Sequence, residues 1–480
     1  MLSLLTDLLW SKVLIAVLIG IGIWFTFATR FVQFRYFGNM FGILTAKHHE
    51  PDGKHLSSFQ ALILSVAGRV GGGNIAGVAV AITIGGPGAI FWMWVVGLMG
   101  MATSFIECML AQTYKTAEAD GTYRGGPAFY IERGLGKNWR WLSVLYSILL
   151  LATFGIAFTT LQSYSVATSL QDAFGIQPYY SGIGMALIVG LIIFGGVKRI
   201  AQVAEILVPI MAGGYLLIAL IVLAMNLSAI PDMLIMIVKS AFGLEPAIGG
   251  GMGAAIMMGV KRGLFSNEAG LGSAPNVAAV AHIPHPANQG IVQAFSVFID
   301  TIILCTCTAL IILLGSAYDP SSTDTVQGVA LTQASLATHM GDYGRMFVSI
   351  ALLLFGFSTI LYNYYLGENS VSYLTKSDNH GFYMNAFRVV IICLCCTGAI
   401  LDLGTVFAFA DLSMGLLALV NLFALALLFK VAKRILKDFD VQREQGNKTP
   451  TFEASRFSDL ELDQASWPNS DPSTNDKNHQ

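Results

Sequence analysis

Charge is scarce in this chain. Asp, Glu, Lys and Arg make up 12% of its 480 residues, about half the share in an ordinary soluble protein. The net charge of −2 offers no basic excess of the kind that nucleic-acid binding draws on, so no nucleic-acid partner is expected. Cysteine is sparse too. The six thiols, Cys108, Cys305, Cys307, Cys393, Cys395 and Cys396, lie in apolar runs rather than polar loops, which excludes a disulfide framework and leaves small buried hydrophobes. His282 and His285 are interleaved with Pro284 and Pro286 and read as surface loop residues. With no activated nucleophile and no metal cluster to point to, an intramembrane enzyme is disfavoured, and no organic cofactor is expected.

Apolar residues dominate instead. They form 55% of the chain and the mean hydropathy is +0.65, which places it in a lipid bilayer. A helix needs about 20 apolar residues to cross one, and eleven runs qualify. They lie near 11–29, 58–84, 89–113, 141–171, 179–196, 202–226, 247–280, 290–316, 345–373, 382–402 and 406–429. Lys and Arg gather after the first, third, fifth and eleventh runs. The positive-inside rule then puts the N-terminus outside and the C-terminus in the cytoplasm of a plasma membrane. From about 440 the chain turns rich in Asp, Ser, Asn, Gln and Pro, a composition expected to stay disordered.

One run is interrupted. Ala67-Gly68-Arg69-Val70-Gly71-Gly72-Gly73-Asn74-Ile75-Ala76-Gly77 carries an arginine and a glycine triplet inside an apolar span. A shift of 193 positions lays it on Val260-Lys261-Arg262-Gly263-Leu264-Phe265-Ser266-Asn267-Glu268-Ala269-Gly270, repeating Arg-x4-Asn-x-Ala-Gly. The same offset pairs Phe105-Ile106-Glu107 with Phe298-Ile299-Asp300, and Gly97 with Gly290. This is an internal duplication. The two interrupted runs are an odd number of crossings apart, so the repeats are inverted. The expected fold is an all-α polytopic membrane protein of eleven transmembrane helices, one extra helix plus two inverted five-helix repeats with broken first helices. The expected divisions are 1–57, the extra helix and a cytoplasmic loop; 58–230, the first repeat; 231–437, the second; and 438–480, the tail.

An irregular backbone at membrane depth is tolerated only where protein or a water-filled cavity receives it. Transporters use such discontinuous helices to hold substrate and ions near the midplane. The half-helix N-terminus favours an anion, and the carbonyls freed on the other side suit a hard cation such as sodium. Arg69, Arg262, Glu107, Glu268 and Asp300 lie in or beside these runs, where charges need partners. Both arginines read as scaffold braces paired with Glu107, Asp300 or Glu268. Asp300 could also bind a cation or carry a proton. Ser358, Thr359 and Gln162 add polar groups in later or intervening spans.

At Gly68-Arg69-Val70-Gly71-Gly72-Gly73-Asn74-Ile75-Ala76-Gly77, Gly85-Gly86-Pro87-Gly88 and Arg262-Gly263-Leu264-Phe265-Ser266-Asn267-Glu268-Ala269-Gly270 the chain resembles the alanine or glycine:cation symporter family. The similarity covers about residues 10–435. It implies a leucine-transporter-like fold and sodium-driven uptake of a small neutral amino acid by alternating access. It also implies a substrate site from Gly71, Gly72, Gly73, Asn74, Gln162, Phe265, Ser266 and Thr359, in which amides and Gln162 hold the carboxylate and the Phe265 carbonyl takes the amine. Sodium would be held by the carbonyls of Ala67, Val70 and Phe355 with the hydroxyls of Ser358 and Thr359. A second sodium would touch Asn74 and Asp300. The rival of the same fold is a proton-coupled or exchange transporter using Asp300 or Glu268.

Overall fold

The computed structural model describes residues 6, 9–45, 56–118, 121–244, 251–319, 328–375, 380–401 and 403–467. Helices carry nearly all of it, as a bilayer demands of chains that must satisfy their own backbone. Among the described residues, seven helices are long and apolar enough to cross a membrane: Gly88–Thr113, Lys137–Phe174, Gly196–Met225, Pro286–Leu314, Asp342–Leu374, His380–Gly398 and Val406–Glu444. The pair Ser58–Arg69 and Gly73–Gly85, bent by 49° at its break, makes an eighth if taken as one span. The sequence reading counted eleven. The difference lies in Ile15–Ala28 and Pro178–Ile193, which are apolar but short, and in a second interrupted helix, Gly251–Asn267 followed by Ser273–Ala278. The start of that run, at 247–250, lies outside the described residues.

Local chemistry sets the first interrupted helix. Ser57 and Gln60 form a reciprocal capping box, each side chain bonded to the other's backbone N–H at 3.1 Å. The helix ends at Val70, where φ −77° and ψ 94° turn the chain out of register. Close packing requires Gly68 at this point, since any Cβ there would collide with the Tyr362 ring.

Helices Gly88–Thr113 and Pro286–Leu314 pack along one another and run antiparallel. A Cβ on Gly97 would lie 2.9 Å from Thr301 Cγ2, and one on Gly290 would lie 2.7 Å from the Phe105 carbonyl oxygen. Gly97 and Gly290 are the duplicated pair, so each half places its small residue against the other half's helix.

The tail departs from expectation. The last helix runs on to Glu444, and residues 445–467 fold back onto the core rather than lacking order. Phe452, Phe457 and Trp467 are buried, and this aromatic surface is what the overall polar composition concealed. The Phe452 N–H bonds the Pro284 carbonyl at 2.8 Å, the Trp467 indole donates to the Thr113 carbonyl at 3.3 Å, and Asp463 accepts from the Ala117 N–H at 2.7 Å. Residues 468–480 lie outside the described residues. His285 also departs from the surface position expected of it. It is fully buried, accepts from the Ala287 N–H at 3.1 Å and faces Asp438 at 3.3 Å.

Lys115 sits beneath this clasp, its ammonium 4.0 Å from the centre of the Tyr123 ring and 4.4 Å from that of Trp467. Burial pushes its pKa from 10.5 down to about 7. Between those values the unfolded chain holds a proton that the folded chain lacks, so this group makes stability rise with pH. Lys115→Met is expected to flatten the rise in thermal midpoint of the detergent-solubilised protein between pH 7 and 10.5. An unaltered slope would count against this assignment.

Candidate functional site

The helix breaks free backbone groups, and the neighbouring side chains collect around them. The Gly71 N–H bonds Asn74 Oδ1 at 3.0 Å, and the Gly72 N–H bonds Gln162 Oε1 at 3.1 Å. A ligand carboxylate can replace either oxygen at these amides, which the following half-helix makes electropositive. The Phe265 ring closes one side. It lies against Gly73 and meets the Phe158 ring edge-on, with centroids 4.9 Å apart.

Just before the break, oxygens gather. Thr359 Oγ1 donates to the Ala67 carbonyl at 3.1 Å and lies 3.4 Å from that of Gly68. Ser358 Oγ reaches the Ala67 carbonyl at 3.3 Å and the Phe355 carbonyl at 2.9 Å. Val70, next along the chain after Arg69, has left the helical conformation with ψ 94°. Hydroxyls that donate to these carbonyls can instead turn their lone pairs toward a hard cation, for which an all-oxygen set is the fitting chemistry.

A third cluster surrounds Asp300. Asn74 Nδ2 donates to Asp300 Oδ1 at 2.7 Å, and Ser266 Oγ and Thr301 Oγ1 donate to Oδ2, each at 2.8 Å. Asn74 and Asp300 are thus together. Ser266 joins them, with its Cα 3.3 Å from where a Cβ on Gly73 would stand. All these side chains are buried.

The arginine partners differ from those expected. Arg69 bonds neutral groups: the Gln293 carbonyl at 3.2 Å, Ser104 Oγ at 3.0 Å and Ser296 Oγ. It makes no ion pair among the described residues. Arg262 pairs with Asp411 at 2.9 Å, and Lys261 reaches the same carboxylate at 2.6 Å. The three expected carboxylates are otherwise engaged. Glu107 accepts from the Gly270 and Gly272 N–H groups, both at 3.2 Å, and from Asn421 Nδ2 at 3.0 Å. Glu268 accepts from Ser273 Oγ at 2.6 Å and Tyr362 OH at 3.2 Å, with its own backbone held at φ 56°. Glu107 therefore secures the second break while Asp300 secures the first, a crosswise exchange between duplicated positions. The Glu/Asp pair in the repeat carried that signal. Asp411 and Asn421 had none, because nothing repeats around them.

Interrupted helices with buried polar clusters at their breaks, set in an apolar bundle, define a multi-pass membrane transporter. Its overall shape is like that of a crystallised manganese transporter from Eremococcus coleocola, with a TM-score of 0.52 at 15% identity over 86% of each chain. More closely, the sodium:alanine symporter family matches residues 1–454, and the chain belongs to it. It is 45% identical to the amino-acid carrier protein AlsT of Bacillus subtilis, over 95% of both chains. It is 44% identical to the "Probable sodium/glutamine symporter GlnT" of the same organism, over 99% of this chain and 97% of the relative. It is 38% identical to the sodium/alanine symporter AgcS of Methanococcus maripaludis, over 92% and 96%.

Asp411 shares its charge between two cations, and all three side chains are nearly shut off from solvent. Removing one partner of a buried pair costs about 3–5 kcal/mol. Asp411→Asn is expected to lower the thermal midpoint by a corresponding margin. Lys261→Met, which leaves Arg262 paired, should cost much less. Equal midpoints for the two variants would contradict the arrangement.

Proposed function

We propose that this chain is a sodium-coupled symporter that brings a small neutral amino acid, alanine or glycine, into the cell by alternating access. One observation carries the reading. The carbonyls of Ala67 and Phe355 and the hydroxyls of Ser358 and Thr359 converge just before a helix break whose amides, at Gly71 and Gly72, are taken up by Asn74 and Gln162. A cation and a carboxylate then share one short stretch of backbone. Sodium at the oxygen cluster, with Val70 contributing, neutralises the carbonyl ends and holds the break in the form that accepts the substrate. Each ligand raises the other's affinity by the same factor, as linkage requires. Gly73, Asn74 and Gln162 complete the carboxylate pocket. The Phe265 carbonyl with Thr359 receives the amine, and Ser266 bridges to a second sodium between Asn74 and Asp300.

The antiparallel contact of the duplicated helices supports an inverted repeat within eleven crossings, since a two-fold axis in the membrane plane relates equivalent helices in that way. With the basic loops cytoplasmic, the N-terminus faces outside and the clasp on residues 113–117 lies on the cytoplasmic side of a plasma membrane. The names of the relatives divide between alanine and glutamine, so the amino-acid preference is a matter for transport measurements.

In liposomes with an inward sodium gradient, alanine uptake is expected to stop when sodium is replaced while a proton gradient is kept. Undiminished uptake would sink sodium coupling. Ser358→Ala and Thr359→Val should each raise the half-saturating sodium concentration by about tenfold, the cost of one lost oxygen ligand at roughly 1.4 kcal/mol. The proton-coupled reading rests on the burial of Asp300. Under that reading Asp300→Asn abolishes the pH dependence of uptake, whereas under sodium coupling it weakens sodium affinity.

A further inference from the structure

Where the C-terminal segment folds back, a cavity of about 340 Å³ opens between three parts of the chain that lie far apart in the sequence. That volume is at the small end of ligand sites. One wall is the short helix Asn39–Thr45. A second is formed by Pro284 and Asn288, around the start of helix Pro286–Val297. The third joins Phe439 and Arg443 of the last helix to residues 448–450. Two residues further on, the Phe452 N–H bonds the Pro284 carbonyl at 2.8 Å, so the cavity lies beside the seam by which the segment is attached.

Two cations, Arg443 and Lys448, line this space, and no carboxylate does. Arg443 donates to the Lys448 carbonyl at 3.1 Å, which leaves the rest of its fork of donors unbonded. Neither cation has an ion pair among the described residues. The nearby carboxylates on the last helix are already taken: Asp440 holds Arg35 at 2.9 Å and the Tyr36 hydroxyl, and Asp438 faces His285 and Arg456, each at 3.3 Å. Asn288 is a second, independent sign. It is only 6% exposed, it lines the cavity, and its carboxamide bonds no other described group. Leaving both a donor and an acceptor unpaired at such depth is costly unless something in the cavity meets them. Asn39 brings another carboxamide from the first wall, while Ile43, Pro284, Phe439 and Pro450 make the remaining surface largely apolar.

We propose that this cavity binds a phosphate monoester with a compact, partly apolar body, supplied either by a soluble nucleotide or by the headgroup of phosphatidic acid. A phosphate monoester carries about two negative charges at neutral pH and three strong acceptor oxygens. A guanidinium takes such oxygens two at a time, and an ammonium adds a point charge. Arg443 and Lys448 match that charge, and the Asn288 carboxamide bonds an ester oxygen or a hydroxyl of the body. A carboxylate ligand needs only one of the two cations, and inorganic phosphate leaves the apolar walls uncovered. The bound ester bridges residues 448–450 to the wall at Asn288, and so connects the C-terminal segment to the second half of the bundle. None of this depends on the coupling ion or on the transported amino acid.

The test uses the full chain in nanodiscs, which expose both faces of the membrane. In one arm, discs of phosphatidylcholine are titrated with adenosine monophosphate, guanosine monophosphate and glycerol phosphate, with adenosine and inorganic phosphate as controls. In the other, part of the lipid is phosphatidic acid, and the lipid retained by the extracted protein is measured. A soluble source shows as binding of at least one monoester about tenfold or more tighter than either control. A lipid source shows as retention of phosphatidic acid in preference to phosphatidylcholine. In whichever arm responds, Arg443→Gln should weaken binding by about tenfold, one charge-assisted contact, and Asn288→Leu, of similar volume, by about fivefold, one neutral hydrogen bond. If neither arm shows binding, or if both variants bind as the wild type does, the proposal falls. Inorganic phosphate binding as tightly as the esters also overturns it, since the apolar walls then recognise nothing. Should Arg443→Gln loosen the C-terminal segment, Asn288→Leu, which removes no bond present in the protein, decides alone. Failure here leaves the symporter reading standing.

Discussion

Two helices in this protein stop and restart inside an apolar bundle, and every backbone group freed there must find a partner without water. The bonds meeting that demand cross between the two halves of the chain. Glu107 takes the amides of Gly270 and Gly272, while Asp300 holds Asn74, which in turn holds the Gly71 amide. Each half thus stabilises the other's interruption through the same position of its duplicated motif. A carboxylate accepting backbone N–H bonds is a strong, charge-assisted arrangement. Engaged in this way, Glu107 is not available to the arginines, and Asp300 is taken by the side chains of Asn74, Ser266 and Thr301.

That engagement explains the charge layout elsewhere. Arg69 is held by hydroxyls and a carbonyl on helices Gly88–Thr113 and Pro286–Val297. Arg262, its duplicate, turns to Asp411 on the last helix and lies over the rings of Phe265 and Phe407. The duplicated arginines share a position in the motif but differ in partners, because the surrounding helices are no longer alike. The pair of Arg262 and Lys261 with Asp411 ties a broken helix to the helix that closes the bundle. The C-terminal segment ties the other end of that closing helix to Thr113, Ala117 and Pro284.

Much of the framework was legible from pattern. Apolar runs located the helices, since a bilayer leaves few other solutions, and the offset of 193 exposed the two breaks. A glycine triplet and an arginine marked the first interruption, because both are costly inside an apolar helix. Ala67, Ser358 and Thr359, named together by similarity to the wider fold, do meet. The order of the tail was hidden in its composition. Three aromatic residues spread over 452–467 carry little weight against many polar neighbours, yet the fold buries all three, with Phe452 packed on Phe457 and Trp467.

The sequence by itself determined that this is a helical membrane protein with a duplicated, interrupted motif, and which residues stand at the interruptions. Those properties depend on hydropathy and on contacts close along the chain. Only the tertiary structure decided that Arg262 meets Asp411, that Glu107 serves Gly270 and that Trp467 covers Lys115. These depend on which helix faces land on each other. Satisfying a buried polar group takes a partner at about 3 Å, and no spacing along the chain specifies which distant residue supplies it.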